Sequence, residues 1–329
     1  MSRPVLVTGA SGFIGTAVAR RLQAAGYHVR VFARPTSRRD NLDDLDADIV
    51  TGDLRDRDSL SRALAGCRGL FHVAADYRLW APQPRELYAN NVDGTRNVLS
   101  AAAACGIHRI VYTSSVATLG LHADSTPADE DTPTSIEAMI GHYKRSKYLA
   151  EQGAREVAAA CGLDLITVHP SAPVGPRDIK PTPTGRIILN AVRARMPAYV
   201  DTGLNIVHVD DVAHGHVLAW EHGAAGRHYI LGGENMSLQA ILATVAECAG
   251  TRPPRLRLRH GLVLPVARAA EAWARISGRA PLVTVDGVRL ARQRMYFSHA
   301  RATAELGYAP RPARAALADA VAWFRQRYS

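Results

Sequence analysis

Three glycines, Gly9, Gly12 and Gly15, lie between the apolar run at residues 5–7 and a helical pattern that begins near Phe13. They therefore stand where a first strand turns into a first helix. Gly9 permits a tight turn, Gly12 lets the backbone approach a ligand without a Cβ in the way, and Gly15 lets the helix pack closely on the strand. The helix N-terminus offers free N–H groups to an anion, so the turn predicts a pyrophosphate cradle. Its predicted contacts are Gly9, Ser11, Gly12, Phe13, Ile14 and Gly15.

A second pattern joins Ser115, which follows an apolar strand, to the run Tyr143-Lys144-Arg145-Ser146-Lys147. Four residues make about one helical turn, so Tyr143 and Lys147 share a helix face. A phenol is a poor acid or base near neutrality, and a nearby ammonium lowers its pKa. We therefore predict that Ser115, Tyr143 and Lys147 are catalytic. The alternative is a surface tyrosine and lysine at a chance spacing.

Strand patterns alternate with helical patterns along the chain, which predicts an α/β fold with a doubly wound parallel sheet, the Rossmann fold. A smaller, mostly C-terminal unit would bind the substrate. We assign residues 1–170 and 205–234 to the dinucleotide-binding domain, and 171–204 and 235–329 to the substrate-binding domain. The predicted strands are 5–7, 29–32, 48–50, 69–73, 110–113, 165–169 and 229–231, with an exposed strand at 255–259. The predicted helices are 13–25, 58–65, 85–104, 142–161 and 211–222.

Composition favours an intracellular enzyme. The 329 residues could bury a large core. The four cysteines are scattered without paired spacing, which indicates reduced thiols rather than disulfides or a metal site. The chain shows no leader pattern and no apolar run long enough to span a bilayer, so we predict a cytoplasmic location.

The basic residues are concentrated near the C-terminus. Residues 251–329 hold 15 of the 40 Lys and Arg but only 4 of the 30 Asp and Glu, so the formal charge of +10 belongs to this region. Such a region would suit an anionic substrate or peripheral contact with an anionic membrane. A merely solvated, arginine-rich surface is the alternative. No nucleic-acid-binding motif accompanies the charge, so we expect no nucleic-acid partner.

The second strand bears on the choice of cofactor. An NAD-specific fold places an acidic residue there for the adenosine ribose. Here Ala33 occupies that place and Arg34 follows at once, with Arg38 and Arg39 close behind. A guanidinium suits a 2′-phosphate, so we predict that NADP(H) is preferred over NAD(H). The neighbouring Asp40 could weaken this preference.

The glycine spacing, the serine and the Tyr-x-x-x-Lys run together resemble the extended short-chain dehydrogenase/reductase family. The resemblance covers nearly the whole chain and is strongest over residues 4–178. It implies that Asn91 supports the active-site architecture and that His72 is packed at a strand end rather than catalytic. A turn cap is the alternative role for Asp53. The further cofactor contacts that it implies are Asp53, Leu54, Ala74, Ala75, Asn91, Thr113, Tyr143, Lys147, Pro170 and Val174.

Within that family, the loops at residues 72–80, 114–120 and 175–178 resemble the hopanoid-associated sugar epimerases, which are similar to dihydroflavonol 4-reductases. This resemblance implies a sugar or polyol substrate, lipid-linked in hopanoid synthesis, and it admits a homodimer. Three hypotheses stay open: an NADP-linked sugar epimerase or reductase, an NADPH ketone reductase of the dihydroflavonol-reductase type, and a catalytically silent nucleotide sensor. Ser115, Tyr143 and Lys147 are all present, which argues against the third.

Four residues are candidates for substrate contact. Tyr77, Arg78 and Trp80 follow a predicted strand, and Arg177 follows a proline-rich turn, so all four would lie where strand ends meet a ligand crevice. Aromatic rings suit a sugar face or an apolar body, and arginines suit a phosphate or polyol edge. The alternative is that the rings pack a loop while the arginines pair with Asp76 and Asp178.

Overall fold

A seven-stranded parallel sheet forms the centre of the protein in the computed structural model, which describes residues 3–81, 83–279, 281 and 283–328. All seven strands predicted for it are confirmed, each to within one residue at either end. The strands are β1 (Val5–Thr8), β2 (Val29–Ala33), β3 (Asp48–Thr51), β4 (Gly69–His72), β5 (Arg109–Thr113), β6 (Asp164–Pro170) and, further along the chain, β10 (His228–Leu231). Their spatial order is β10-β6-β5-β4-β1-β2-β3, with every neighbouring pair parallel.

Helices cover both faces of this sheet, which is why its central strands are buried along nearly their whole length and are mostly apolar. One face carries α1 (Phe13–Ala24) and α7 (Val209–His222). The other carries α2 (Arg57–Leu64), α4 (Gly94–Ala104) and α5 (Gly141–Cys161). The doubly wound Rossmann architecture predicted from the sequence is confirmed.

The helix predicted over residues 85–104 is interrupted. It consists of α3 (Pro84–Tyr88), a π-helical turn at Ala89–Asp93, and α4. A π turn adds one residue to a helical turn and often marks a functional position. The apolar pattern of the segment does not distinguish this wider turn from regular helix.

The remaining strands and helices form a second unit with its own core. A small sheet there consists of β7 (Ala172–Val174), β9 (Gly203–His208), β11 (Glu234–Ser237) and β13 (Arg294–Met295), and β8 (Ala198–Val200) pairs with β12 (Leu256–Leu258). The predicted exposed strand at 255–259 corresponds to β12. The helices are α6 (Pro183–Val192), α8 (Leu238–Ala249), α9 (His260–Ser277), α10 (Val285–Leu290), α11 (Ala300–Leu306) and α12 (Ala313–Tyr328). Within the described ranges, no helix combines the length and apolar character needed to cross a bilayer.

Two elements lie on the other side of the predicted domain division. Strand β9 begins in the segment assigned to the substrate unit, but its residues 205–208, assigned to the dinucleotide domain, also pair with strands of the second unit, β7 and β11. Helix α11, assigned to the substrate unit, packs Ala302 and Leu306 into the core of the central sheet. The sequence pattern of a strand does not predict which sheet the strand joins, because sheet membership depends on the strands with which it pairs. Residues 1, 2, 82, 280, 282 and 329 of the predicted domains lie outside the described part of the chain.

Candidate active site

The glycine turn lies at the middle of the sheet, where the chain order reverses between β1 and β4. Gly9 has φ +75°, and a Cβ there would come within 2.7 Å of the backbone of Ala74. A Cβ on Gly15 would overlap the carbonyl oxygen of Gly9. Gly12 caps α1 without a side-chain hydrogen bond, so the first N–H groups of that helix stay available to an anion. The turn therefore fits the pyrophosphate of a dinucleotide.

The ends of β1 and β4 are joined by buried hydrogen bonds. The Thr8 hydroxyl accepts hydrogen bonds from the backbone N–H groups of Val73 and Ala74 and lies 2.8 Å from His72 Nδ1. His72 Nε2 lies 3.1 Å from the Thr95 hydroxyl. Burial, together with the Lys147 charge, lowers the pKa of His72 to about 3, so its ring is neutral. The prediction that His72 is packed at a strand end is confirmed.

Ser115, Tyr143 and Lys147 meet at the carboxyl end of β5. Lys147 is 3% exposed, and its Nζ donates to the Thr113 carbonyl oxygen at 2.9 Å and to the Tyr112 hydroxyl at 3.4 Å. Ser115 and Tyr143 are both half-exposed, whereas their chain neighbours Ser114 and Lys144 are buried. The hydroxyls of two partly exposed residues therefore stand beside one buried ammonium, a set that can bind an oxygen atom and transfer a proton to it.

The pKa values of this group differ in part from the expectation. Burial lowers the pKa of Lys147 to about 8, against the opposing charge of Glu151. Burial also raises the pKa of Tyr143, a hydrogen bond with Ser115 opposes that rise, and the charge of Asp76 adds to it. We expected Lys147 to lower the pKa of Tyr143, but its ammonium is directed to the Thr113 carbonyl. The phenol is therefore protonated at neutral pH.

Asn91 stands in the π-helical turn and is 2% exposed. Its Nδ2 donates to the Ser146 hydroxyl and to the Asp76 carbonyl, both at 2.9 Å. Its Oδ1 accepts from the Asp76 N–H at 2.7 Å. The side chain thus ties the loop after β4 to α5, close to Tyr143. The extra residue of the π turn is the feature that the sequence pattern did not reveal.

The other predicted cofactor residues lie along the same edge of the sheet. Ala75 follows β4 and is exposed, Pro170 ends β6, and Val174 lies in β7 with 2% exposure. The Leu54 carbonyl accepts from Asn97 Nδ2 at 3.2 Å. The structure therefore brings the glycine turn, the strand ends and the Ser-Tyr-Lys group to one crevice.

Arg34 and Asp53 follow β2 and β3, where the adenosine of the dinucleotide is predicted to bind. Arg34 is exposed directly after β2 and makes no ion pair within the described part of the chain. The Asp53 carboxylate is held by Arg55, whose backbone N–H and guanidinium both donate to Oδ1 at 2.9 Å. This is the turn-capping role considered for Asp53. The Arg55 hydrogen bonds lower the pKa of Asp53 to about 2.

The two candidate substrate arginines are already paired. Arg78 contacts the Asp76 carboxylate, with its shortest distance 2.5 Å, and Glu86 at 2.9 Å. Arg177 pairs with Asp44 at 2.7 Å. The alternative prediction, that these arginines pair with Asp76 and Asp178, is therefore confirmed for Arg78 and wrong for Arg177. The Asp178 carboxylate instead accepts hydrogen bonds from the backbone N–H and the hydroxyl of residue 182.

The two aromatic candidates remain near the crevice. Tyr77 is half-buried, and its hydroxyl donates to the Lys180 carbonyl at 3.4 Å. Trp80 is half-buried at the end of the same loop. Of the four candidates, these two rings are available for contact with an apolar body.

A buried polar pair below Ser115 was not predicted. The Glu151 carboxylate accepts from the Ser114 hydroxyl at 2.6 Å and from the Arg155 guanidinium at 2.7 Å. His169 is fully buried, with Nδ1 3.2 Å from the Ser115 carbonyl oxygen. The spacing of Glu151, one helical turn after Lys147, is the signal that could have revealed it, since it puts both residues on one helix face.

This fold and this group of residues define a Rossmann-type enzyme that binds a nicotinamide dinucleotide. The chain belongs to the NAD dependent epimerase/dehydratase family, whose model matches residues 5–232. This confirms the predicted membership of the extended short-chain dehydrogenase/reductases.

Individual relatives match the whole chain. A Synechocystis protein provisionally named dihydroflavonol 4-reductase is 49% identical, with 97% of this chain and 94% of the relative covered. Sterol demethylase protein B of Methylococcus capsulatus is 36% identical, with 98% of each chain covered. The crystal structure of gox2253 superposes with a TM-score of 0.89 at 52% identity, covering 99% of both chains.

Proposed function

We propose that this protein is an NADPH-dependent reductase that converts a ketone of an apolar or lipid-linked substrate into a secondary alcohol. The observation that carries the proposal is the pair of hydroxyl residues, Ser115 and Tyr143, both partly exposed, beside the buried Lys147 ammonium. The 49% identical Synechocystis relative is named as a reductase, which favours net reduction. The Methylococcus relative is named as a sterol demethylase protein, which favours a lipid precursor as substrate, such as one of hopanoid synthesis.

The residues of the site have distinct tasks in this reaction. The Ser115 and Tyr143 hydroxyls donate hydrogen bonds to the substrate carbonyl oxygen, and Tyr143 transfers its proton to that oxygen. The raised pKa of Tyr143 suits this direction, because the phenol carries its proton at neutral pH. Lys147 supplies positive charge beside the Ser115 and Tyr143 hydroxyls and would hold the cofactor ribose next to the nicotinamide. The bound dinucleotide supplies the hydride.

The preference for NADP(H) is part of the proposal. Arg34 is exposed and unpaired at the end of β2 within the described residues, so its guanidinium is available to a 2′-phosphate. Arg38 is held by Asp40 at 2.9 Å. The Asp53 carboxylate is held by Arg55, which offsets the negative charge at that position.

A sugar epimerase is the second candidate, and the family to which the chain belongs favours it. Epimerisation and reduction use the same Ser115, Tyr143 and Lys147. They differ in what is released: an epimerase retains both the cofactor and the ketone between two hydride transfers, whereas a reductase releases both. Retention of oxidised cofactor through purification would favour the epimerase.

The test is a stoichiometric assay of the full-length protein with NADPH and a panel of lipid and polyol ketones. A reductase oxidises one NADPH for each ketone consumed, and the Tyr143→Phe variant serves as the inactive control. Inversion of an alcohol centre without net NADPH oxidation would overturn the proposal in favour of the epimerase. Cofactor binding without turnover of any carbonyl or alcohol in the panel would favour the nucleotide sensor.

A further inference from the structure

Helix α9 carries a row of large apolar side chains that face solvent. Leu262, Val266, Trp273 and Ile276 are 67%, 60%, 66% and 81% exposed. With 3.6 residues per turn, these positions fall within an arc of about 80° on one face. We call these four residues the α9 stripe. Scattered exposed apolar residues are ordinary, whereas a contiguous row indicates a surface that something covers.

The opposite face of α9 is the one that packs on the protein. Ala267 and Ala274 are buried, and α9 contacts α10. Glu271, the single carboxylate of the helix, accepts a hydrogen bond from the Val285 N–H at 2.7 Å on that side. The α9 stripe therefore contains no acidic residue and is directed away from the rest of the described structure.

Four arginines lie on α9 or shortly before it. Arg268 and Arg275 lie on one side of α9, about 120–140° around the helix from the centre of the stripe. Arg259 immediately precedes α9, and Arg255 precedes β12. None of these four makes an ion pair in the part of the chain that the structure describes. Long arginine side chains can extend from the flank of a helix toward anionic groups while their aliphatic portions cover apolar surface.

We propose that α9 lies flat in the surface of an anionic membrane, with the α9 stripe inserted among the acyl chains and these arginines at the lipid phosphates. An apolar face combined with cationic side chains on the polar face is the pattern of an interfacial helix. Charge complementarity favours lipid over a second copy of this chain. A symmetric contact would bring one arginine-rich face against another, and residues 251–329 hold only 4 acidic residues against 15 basic ones.

The position of α9 relative to the site makes this contact useful. Helix α10, which packs on α9, places the Asp286 carboxylate against Gly141, where α5 begins. Gly141 precedes Tyr143 by two residues. A membrane-bound α9 would thus hold the catalytic helix near the surface from which an apolar substrate would come. Membrane binding itself does not depend on the proposed reductase activity.

The experiment is co-sedimentation of the full-length protein with phosphatidylcholine vesicles, with and without phosphatidylglycerol, in the absence of substrate and cofactor. We expect binding to the anionic vesicles that weakens as salt is raised. Leu262→Glu and Ile276→Glu should each reduce the partition coefficient about tenfold or more, because each removes a large inserted side chain. Leu149→Glu, at a 39% exposed leucine of α5, is the matched control and should bind like the unmodified protein.

Two results would overturn the proposal. One is equal sedimentation of the unmodified protein and the stripe variants with anionic vesicles. The other is a dimer of the unmodified protein, seen by size-exclusion chromatography, that Leu262→Glu converts to a monomer, because a second copy would then cover the stripe. Circular dichroism of both glutamate variants checks that they are folded. Since the assay contains no ketone, failure of the reductase proposal would leave a positive vesicle result standing, and the reverse also holds.

Discussion

Glu151 and His169 lie side by side in the interior, with Glu151 Oε2 3.8 Å from His169 Nδ1, directly below the turn that carries Ser115. The Ser115 carbonyl can only accept a hydrogen bond, so His169 bears a proton on Nδ1. Burial lowers the pKa of His169, and the charge of Glu151 opposes that shift. His169 Nε2 is buried without a hydrogen-bond partner among the described residues. The pair therefore positions Ser115 without reaching the crevice.

Glu151→Gln should lower turnover by about tenfold while leaving the dissociation constant of NADPH nearly unchanged. The amide is a weaker acceptor for the Ser114 hydroxyl and for Arg155, and hydrogen bonds to charged groups contribute about 1.5–3 kcal/mol. Steady-state kinetics and cofactor titration measure the two quantities. Glu156→Gln, at an exposed carboxylate of the same helix that pairs with Arg96, is the control. A parallel loss of cofactor affinity would contradict a positioning role.

The same carboxylate should contribute to acid unfolding. Burial alone would raise the pKa of Glu151, but His169, the Ser114 hydroxyl and Arg155 lower it to about 2, from 4.5. A carboxyl with a depressed pKa in the folded state stabilises the protein above the pKa of the unfolded chain, and this stability is lost as the pH falls from about 4.5 toward 2. Chemical denaturation across this range should show that the free energy of unfolding falls less in Glu151→Gln than in the unmodified protein. If the free energy of unfolding falls equally steeply with pH in both proteins, this carboxylate is not the group that titrates.

Tyr143→Phe should retain cofactor binding but reduce turnover by about 10² to 10⁴, the range for a positioned acid–base group. The ring stays in place and only the hydroxyl group, which carries the proton, is lost. Ser115→Ala should have a smaller effect, because it removes one hydrogen bond to the substrate oxygen but not the proton donor. Single-turnover kinetics with NADPH compares the two variants. Full activity of the phenylalanine variant would show that the proton reaches the substrate by another route.

Ketone reduction should decline as the pH rises through about 8. Burial lowers the pKa of Lys147 to about 8, so the ammonium is present at neutral pH and is lost above that value. Tyr143 has a raised pKa and keeps its proton over the same range. A pH profile of kcat/KM, with a melting curve at each pH as the control for stability, tests this. A profile that stays flat to pH 10 would contradict the requirement for the Lys147 charge.

Lys144→Met should stabilise the protein by about 1–3 kcal/mol at pH 7, because a 4% exposed ammonium is replaced by an apolar side chain of similar length. Burial lowers the pKa of Lys144 to about 8, from 10.5. The unfolded chain therefore holds this proton when the folded protein has released it, and stability rises between pH 8 and 10.5. Chemical denaturation should show that the free energy of unfolding rises less between pH 8 and 10.5 in Lys144→Met than in the unmodified protein. Lys180→Met, at an exposed lysine, should change neither quantity.

Arg34→Ala should reduce the preference for NADP(H) over NAD(H) by about one to two orders of magnitude. A charge-assisted contact to phosphate contributes about 1.5–3 kcal/mol. Fluorescence titration with both dinucleotides measures the ratio, and Arg62→Ala on α2 is the control at another exposed arginine. Equal affinities for the two cofactors in the unmodified protein would contradict the predicted preference.

Local patterns in the sequence were enough to predict the central sheet and the principal residues of the site. Apolar runs between helical segments located every strand of that sheet, because a strand buried on both faces must be apolar throughout. The spacing of Gly9, Gly12 and Gly15 identified a turn in which a Cβ would collide with backbone. The spacing of Tyr143 and Lys147 placed both on one helix face. These features depend on residues that are close together in the chain.

The tertiary structure decided which distant charges meet. Arg177 pairs with Asp44, the Lys147 ammonium is directed to the Thr113 carbonyl, and Glu151 lies beside His169. A local pattern cannot specify these partners, because each pair is joined by folding of segments far apart in the chain. The burial that shifts their pKa values also arises only when those segments pack. The sequence by itself therefore determined the fold class and the residues of the candidate site, and the packing determined how those residues are held and charged.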